Sequence, residues 1–300
     1  METSHGYTGT VAAHELPLSV GTPSCVNSVG MKGKAMAIEA LDRQSRPTIG
    51  FALGGGAVRG AAHLGFLSVF EEAGIKPDLI AGTSAGAIVG AGYAGGLTID
   101  EMSKLAHAAG WRDMTNIAWK QSLSIFDTTP LRAWIEGAIG DIEFDDLSIP
   151  LAAVTCNIVN GQKVVLREGS VVRATVASAT IPGLFNPDER ADMLLVDGGL
   201  VENLPVSTAR QMGADIVIAV DVSPTFRHGL RPENLRDIVT ATTVIVASST
   251  QVDARKDADY LVQPDIEEFL PWDFSKISQI EEAGREAARQ IVGQVLTALS

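Results

Sequence analysis

Gly82-Thr83-Ser84-Ala85-Gly86 fits the pattern G-x-S-x-G, in which a sharp strand-to-helix turn lifts a serine hydroxyl above a sheet and small neighbours leave it open to attack a carbonyl. A plain helix N-cap serine satisfies the same five residues. Context favours the nucleophile, because the apolar run 78–81 precedes the pentapeptide and a small-residue helix follows from Ala87 to the Gly95-Gly96 pair.

A second glycine cluster, Gly54-Gly55-Gly56-Ala57-Val58-Arg59-Gly60, sits at an earlier strand-to-helix turn. As a dinucleotide fingerprint it fails, since the third required glycine falls on Arg59, and no Gly-Lys-Ser/Thr follows to make a phosphate loop. As an oxyanion hole it works. Bare amides of Gly54, Gly55, Gly56 and Ala57 beside a helix N-terminus suit a developing negative charge, each donor being typically worth ~2.7 to 4 kcal/mol. Arg59 then either anchors the loop or binds an anionic headgroup.

Asp197-Gly198-Gly199 follows the apolar run 193–196, which puts a carboxylate at a strand's carboxyl end, where α/β sheets place their sites. An ordinary Asp-Gly turn is the competing reading; Asp221, after the run 215–220, is a similar candidate. A triad requires one of five histidines. His5 and His14 precede the patterned region, His63 and His107 read as structural, and His228 follows both Ser84 and Asp197 in triad order but sits in a polar stretch. The alternative is a Ser-Asp dyad, in which the aspartate takes the hydroxyl proton and partial burial raises its pKa toward a useful range.

The elements that must position these groups alternate strand and helix. Strands are expected at 49–53, 78–81, 150–157, 163–166, 193–196, 215–220 and 260–262, and helices at 59–73, from 87, and at 170–178, 205–212, 234–255 and 275–299. Residues 98–144 read as an insertion over the sheet's end, a lid or substrate-facing wall that carries Trp111, Trp119 and Trp134. Residues 1–45 read as a mobile extension, and 46–300 as the folded domain. Of 300 residues 46% are hydrophobic, 20% charged and only 5% aromatic, with 30 glycines, a composition for close-packed α/β layers with helices on a parallel sheet.

The net charge of −13 opposes nucleic-acid binding, which draws its affinity from cations on phosphates. Hydrophobic contact with a lipid surface stays open. Cys25 and Cys156 are too few for a disulfide framework and lie outside zinc-ligand spacing; Cys156, in an apolar run, reads as a buried thiol. No signal peptide or spanning segment is apparent, so a cytoplasmic location, with peripheral contact at a membrane, is the expectation.

Taken together, Gly54 to Gly60, Gly82 to Gly86, the run Ala177-Ser178-Ala179-Thr180-Ile181-Pro182-Gly183-Leu184-Phe185 and Asp197 to Gly199 resemble, in order and spacing, the four blocks of the patatin-like phospholipase family. Bacterial members similar to the catalytic domain of neuropathy target esterase match best, from about Thr48 to the C-terminal helix. The resemblance implies a three-layer α/β/α fold with a mostly parallel central sheet. It implies a Ser84–Asp197 dyad without histidine, an oxyanion hole in the Gly54 to Gly56 turn, acyl ester substrates such as phospholipids or lysophospholipids, and no cofactor or metal. His63 is common in similar members, and helix packing is the preferred reading of it. An acyltransferase working through the same acyl-enzyme, or a non-catalytic regulatory protein that kept the fold, are the alternatives; no protein partner is indicated.

Overall fold

The computed structural model describes residues 46–110, 115–117, 123–223 and 231–300. The expected extension 1–45, with His5, His14 and Cys25, lies outside them, as do Trp111, Trp119 and His228.

Five parallel strands form the body of the sheet: β1 (Ile49–Leu53), β2 (Leu79–Thr83), β5 (Leu151–Asn157), β9 (Ile216–Val220) and β10 (Tyr260–Val262). They stand in the order β10-β9-β1-β2-β5 and continue through β8 (Met193–Asp197) to β7 (Asp188–Arg190), with β6 (Gln162–Leu166) also paired to β5. A two-stranded ribbon, β3 (Asn116–Ile117) with β4 (Phe126–Asp127), stands apart.

Alternation along the strands builds the two faces. Phe51, Leu53, Ile80, Ile218 and Val220 point into one core, with α1 (Ala61–Glu72), α2 (Ala85–Ala94), α3 (Ile99–Ala108) and α8 (Ile277–Leu299). Ala52, Leu79, Ala81, Val217 and Ala219 point into the other, covered by α6 (Val206–Gln211) and by Ala254 of α7 (Leu235–Asp257). A third cluster joins α4 (Thr129–Ile139) and α5 (Val171–Ser178) through Leu131, Ile135, Val172 and Val176. The fold is thus three layers, α/β/α, around a mostly parallel sheet. Both faces being covered explains why β1, β2, β5 and β9 are near-continuous apolar runs rather than alternating ones. Cys156 is buried in β5.

Helices α1 and α8 cross closely because each presents a glycine to the other's backbone: a Cβ on Gly65 would strike the Glu281 carbonyl, and one on Gly284 the Ala62 carbonyl. Three differences from expectation have physical causes. The first turn after the glycine cluster, Ala57–Gly60, is a 3₁₀ turn rather than α-helix. The charged strand β7, Asp-Glu-Arg, carries no apolar signal and is held by Arg173 and Arg190 on Asp188. Finally, β6 and β8 run antiparallel to β5, a direction that an apolar run cannot announce.

Candidate active site

Strand β2 ends at Thr83 and α2 starts at Ala85, so Ser84 makes the whole turn by itself, at φ 53° and ψ −119°. Such a backbone costs a non-glycine residue on the order of 1–3 kcal/mol and persists only where surroundings fix it. Here the Ser84 amide donates to Ser178 Oγ (2.9 Å), and that hydroxyl donates to the Val154 carbonyl (2.6 Å). The C-terminal residue of α5 thereby pins the turn to β5. Gly86 is required by closeness, since a Cβ there would run into the Leu53 carbonyl at the end of β1.

The Gly54–Ala57 turn passes directly over the serine: a Cβ on Gly55 would lie 3.1 Å from Ser84 Cβ. Its amides are not equivalent. Gly54 donates to the Val220 carbonyl (3.0 Å) and Gly55 to the Asn203 carbonyl (3.1 Å), so two of the four expected oxyanion donors are already committed. Among the described residues, the amides of Gly56 and Ala57 donate to no protein acceptor, and both residues line a small chamber with Ser84 and Asp197. Ala57 holds φ 53°, a second strained position within the site. The Ala85 amide, orphaned at the start of α2, adds a donor beside the serine that the glycine pattern did not suggest.

The carbonyls of the same turn are also gripped. His63, fully buried on α1, places Nε2 2.8 Å from the Gly54 carbonyl. Only a protonated Nε2 satisfies that acceptor. Burial lowers the His63 pKa to about 4, against the raising influence of the Gly54 hydrogen bond and of Asp221. The imidazole is therefore neutral at ordinary pH; it combines helix packing with a hold on the loop. Asn203 Nδ2 donates to the Gly55 carbonyl (3.1 Å) and to Ser223 Oγ (2.9 Å). Since the Gly55 carbonyl and the Gly56 amide share one peptide plane, Asn203 sets the direction of the Gly56 N–H. Arg59 is buried, with Nε and Nη2 on the Phe269 carbonyl (2.9 and 2.7 Å) and Nη1 on that of Ser223 (3.1 Å). It is a loop anchor, and its guanidinium faces main-chain carbonyls rather than a headgroup site.

Asp197 arrives from the opposite direction. Strand β8 begins beyond the end of β5 and runs back along it, pairing Leu195 with Asn157 and Asp197 with Thr155. It reaches the level of Ser84 just as it ends, because Thr83 pairs with Val154. The carboxylate is at a strand's carboxyl end, as expected, but of an antiparallel strand. It is buried; Oδ1 accepts the Gly199 amide (2.8 Å), and the carboxylate shares its chamber with Ser84. Burial raises its pKa to about 6, while the neighbouring Ser84 hydroxyl and the Gly199 amide pull it back down. The sequence-predicted serine and aspartate are thus brought together.

The rest of the chamber wall comes from Thr240, Thr243, Val244 and Ala247 of α7, with Pro271 and Trp272. No histidine lines it among the described residues. His107 faces Glu281 of α8, at 3.6 Å, and Asp221 is paired with Arg255. Among the described residues no group of three or more His, Cys, Asp or Glu side chains is placed to hold a metal ion. The residues that sequence reasoning missed are Ser178, Ala85 and Asn203. Ser178 lies inside a quoted block, and Ala85 is marked by following the nucleophile. Asn203, 148 residues from the Gly55 it holds, has no local signal.

The family model for patatin-like phospholipases matches residues 51–210, which include the glycine turn, Ser84, Ser178, Asp197 and Asn203. The chain belongs to the patatin-like phospholipase family. Human patatin-like phospholipase domain-containing protein 6 is 30% identical over 281 residues, 82% of this chain and 20% of that protein. The lysophospholipase NTE1 of Scheffersomyces stipitis is 30% identical over 284 residues, 82% of this chain and 18% of that protein. The chain therefore spans about a fifth of the length of these curated relatives. VipD from Legionella pneumophila shares the fold, with TM-score 0.50 at 12% identity over 83% of this chain and 67% of that one. In this patatin-like chain α7, which closes the chamber over Asp197, lies beyond the matched stretch. No helix among the described residues is long and apolar enough to cross a membrane.

Proposed function

We propose that this protein hydrolyses acyl ester bonds of lipids through a Ser84–Asp197 dyad. The observation that carries the reading is that Ser84 and the buried Asp197 carboxylate line one chamber with the uncommitted amides of Gly56 and Ala57; burial raises the Asp197 pKa to about 6. A base with pKa near the working pH is ionised yet basic enough to take a proton from an attacking hydroxyl. Family membership and the relatives named phospholipase and lysophospholipase support the substrate class.

In the first step Ser84 Oγ bonds to the ester carbonyl carbon as its proton passes to Asp197. The carbonyl oxygen, now negative, takes hydrogen bonds from the free amides of Gly56, Ala57 and Ala85. Collapse breaks the carbon–oxygen bond to the alcohol, which leaves with the proton from Asp197, and Ser84 holds the acyl group. Water then attacks the acyl-enzyme, again deprotonated by Asp197, and the fatty acid departs as Ser84 regains its proton. No cofactor enters these steps. A substrate drawn from aggregated lipid calls for transient contact with a lipid surface, and apolar contact rather than charge attraction suits a chain with net charge −13.

The test is hydrolysis of a chromogenic ester, with a fluorophosphonate probe as a second readout. Wild type is expected to show a burst and to be labelled at Ser84; Ser84→Ala is expected to lose both, with a rate loss on the order of 10⁴-fold or more. Wild-type rates in Ser84→Ala would reject the nucleophile.

A further inference from the structure

Ser84 also lines a second cavity, of about 180 Å³. Among the described residues, apart from the Ser84 hydroxyl its lining side chains are apolar or aromatic, contributed by α1, α2, α3, α4 and the start of α8 and by the adjoining loops. Such a lining favours an alkyl chain over water.

One helix face forms its length. Ser84, in the turn that opens α2, and Ile88 and Gly92 on α2 all line the cavity, spaced i, i+4 and i+8 along one inclined stripe. The stripe ends at a floor: a Cβ on Gly92 would stand 2.9 Å from Met102 Sδ and 3.5 Å from Leu97 Cδ1, and both of those side chains also line the cavity. The eight residue steps from Ser84 to Gly92 rise about 12 Å. A zigzag alkyl chain built from bonds of ~1.5 Å spans that distance in roughly ten carbons. As to girth, a cavity of ~150 Å³ takes a single benzene, and drug-sized ligands need roughly 300 Å³ or more. The 180 Å³ here suits one slender chain and not two side by side.

From these dimensions, and resting on the reading that Ser84 attacks an acyl ester, we infer that the cavity is a ruler for one straight acyl chain of medium length, with Gly92, Met102 and Leu97 fixing the limit at roughly ten carbons. The chain lies along α2 with its carbonyl at Ser84 and its methyl end against Met102.

The experiment measures kcat/KM for p-nitrophenyl esters of four to sixteen carbons, each below its micelle-forming concentration. Within the ruler each added methylene leaves water for an apolar wall, so kcat/KM is expected to rise about fourfold per carbon and to break to a plateau or a fall near ten. Met102→Ala, which lowers the floor, is expected to move the break to longer chains; Gly92→Leu, which raises it, to shorter ones. A break that stays in place in a folded Met102→Ala protein, or a steady rise to sixteen carbons in wild type, overturns the ruler. Calorimetric titration of Ser84→Ala with saturated fatty acids of the same lengths reads the ruler without turnover. If no ester is cleaved in a Ser84-dependent way yet fatty-acid affinity breaks near ten carbons, the hydrolase reading fails while the pocket stands. If esters are cleaved and both breaks are missing, the pocket reading fails alone.

Discussion

Two aspartates end two strands of the same sheet, both are buried, and their surroundings have opposite consequences. Asp221, after β9, meets a guanidinium: Arg255 of α7 pairs with Oδ2, and Ser223 donates to Oδ1. Asp197, the last residue of β8, accepts one amide, lies beside Ser84 and pairs with no cation among the described residues. Burial without a compensating charge is what drives a carboxylate's pKa upward, and at Asp197 it reaches about 6. One carboxylate is tied into structure, passing its hold through Ser223 and Asn203 to the Gly55 carbonyl. The other is left with proton affinity to spend on chemistry.

The sharpest way to break this contrast is to neutralise each acid's role in turn. Asp197→Asn keeps the shape and removes the base; kcat/KM for a soluble ester is expected to fall by up to ~10⁴-fold, about 5.5 kcal/mol of transition-state stabilisation. Loss of less than tenfold would mean that Asp197 is no base. Arg255→Met instead strands the Asp221 carboxylate in a buried site, a change that costs about 4 kcal/mol of folding stability. Urea unfolding near neutral pH reads that loss. The rate per folded molecule is expected to change far less than in Asp197→Asn, since Arg255 acts on the glycine turn only through three intervening side chains. A normal midpoint in Arg255→Met would place the two aspartates on the same footing.

How much of this contrast was visible in the sequence divides along the same lines. Both aspartates follow apolar runs, so both were candidates, and nothing local distinguished them, because the deciding residue for Asp221 is Arg255, 34 positions away on α7. Ser84 was legible because a G-x-S-x-G turn between an apolar strand and a small-residue helix states its own geometry within five residues. The three-layer fold was legible for a similar reason: Ile-Val-Ile-Ala-Val at β9 and Ile-Gly-Phe-Ala-Leu at β1 have the unbroken apolar character of strands covered on both faces. The glycine turn was legible as a loop that exposes amides, yet which amides remain available depends on acceptors at Val220 and Asn203, far off in the chain. The parallel body of the sheet was legible, but the reversed direction of β6 and β8 was not. An aspartate at a strand's carboxyl end is the geometry of parallel strands; in the structure β8 carries Asp197 at its end and runs back along β5.

The finest test compares stability rather than rate, and its sign follows from the direction of the pKa shift. Asp197 moves from 3.8 in the unfolded chain to about 6 in the folded protein, so between those values the native state holds a proton that the unfolded chain has released. Stability falls as pH rises through that window. Below pH 3.8 the penalty is absent, and above about 6 it is complete, on the order of 3 kcal/mol at ~1.4 kcal/mol per pKa unit. Asp197→Asn never ionises and escapes it. His63 complicates either protein measured alone, because its pKa is lowered from 6.5 to about 4; its contribution is present above 6.5 and lost as pH falls toward 4, a slope of the opposite sign over nearly the same range. The difference between wild type and Asp197→Asn cancels the His63 contribution, which both share. Urea unfolding of the pair should therefore give Asp197→Asn an advantage at pH 8 that shrinks steadily below pH 6 and vanishes near pH 3.8. A difference that is flat across pH would mean that the folded protein ionises Asp197 as readily as the open chain does, and Asp197 would then have no raised proton affinity to offer the serine.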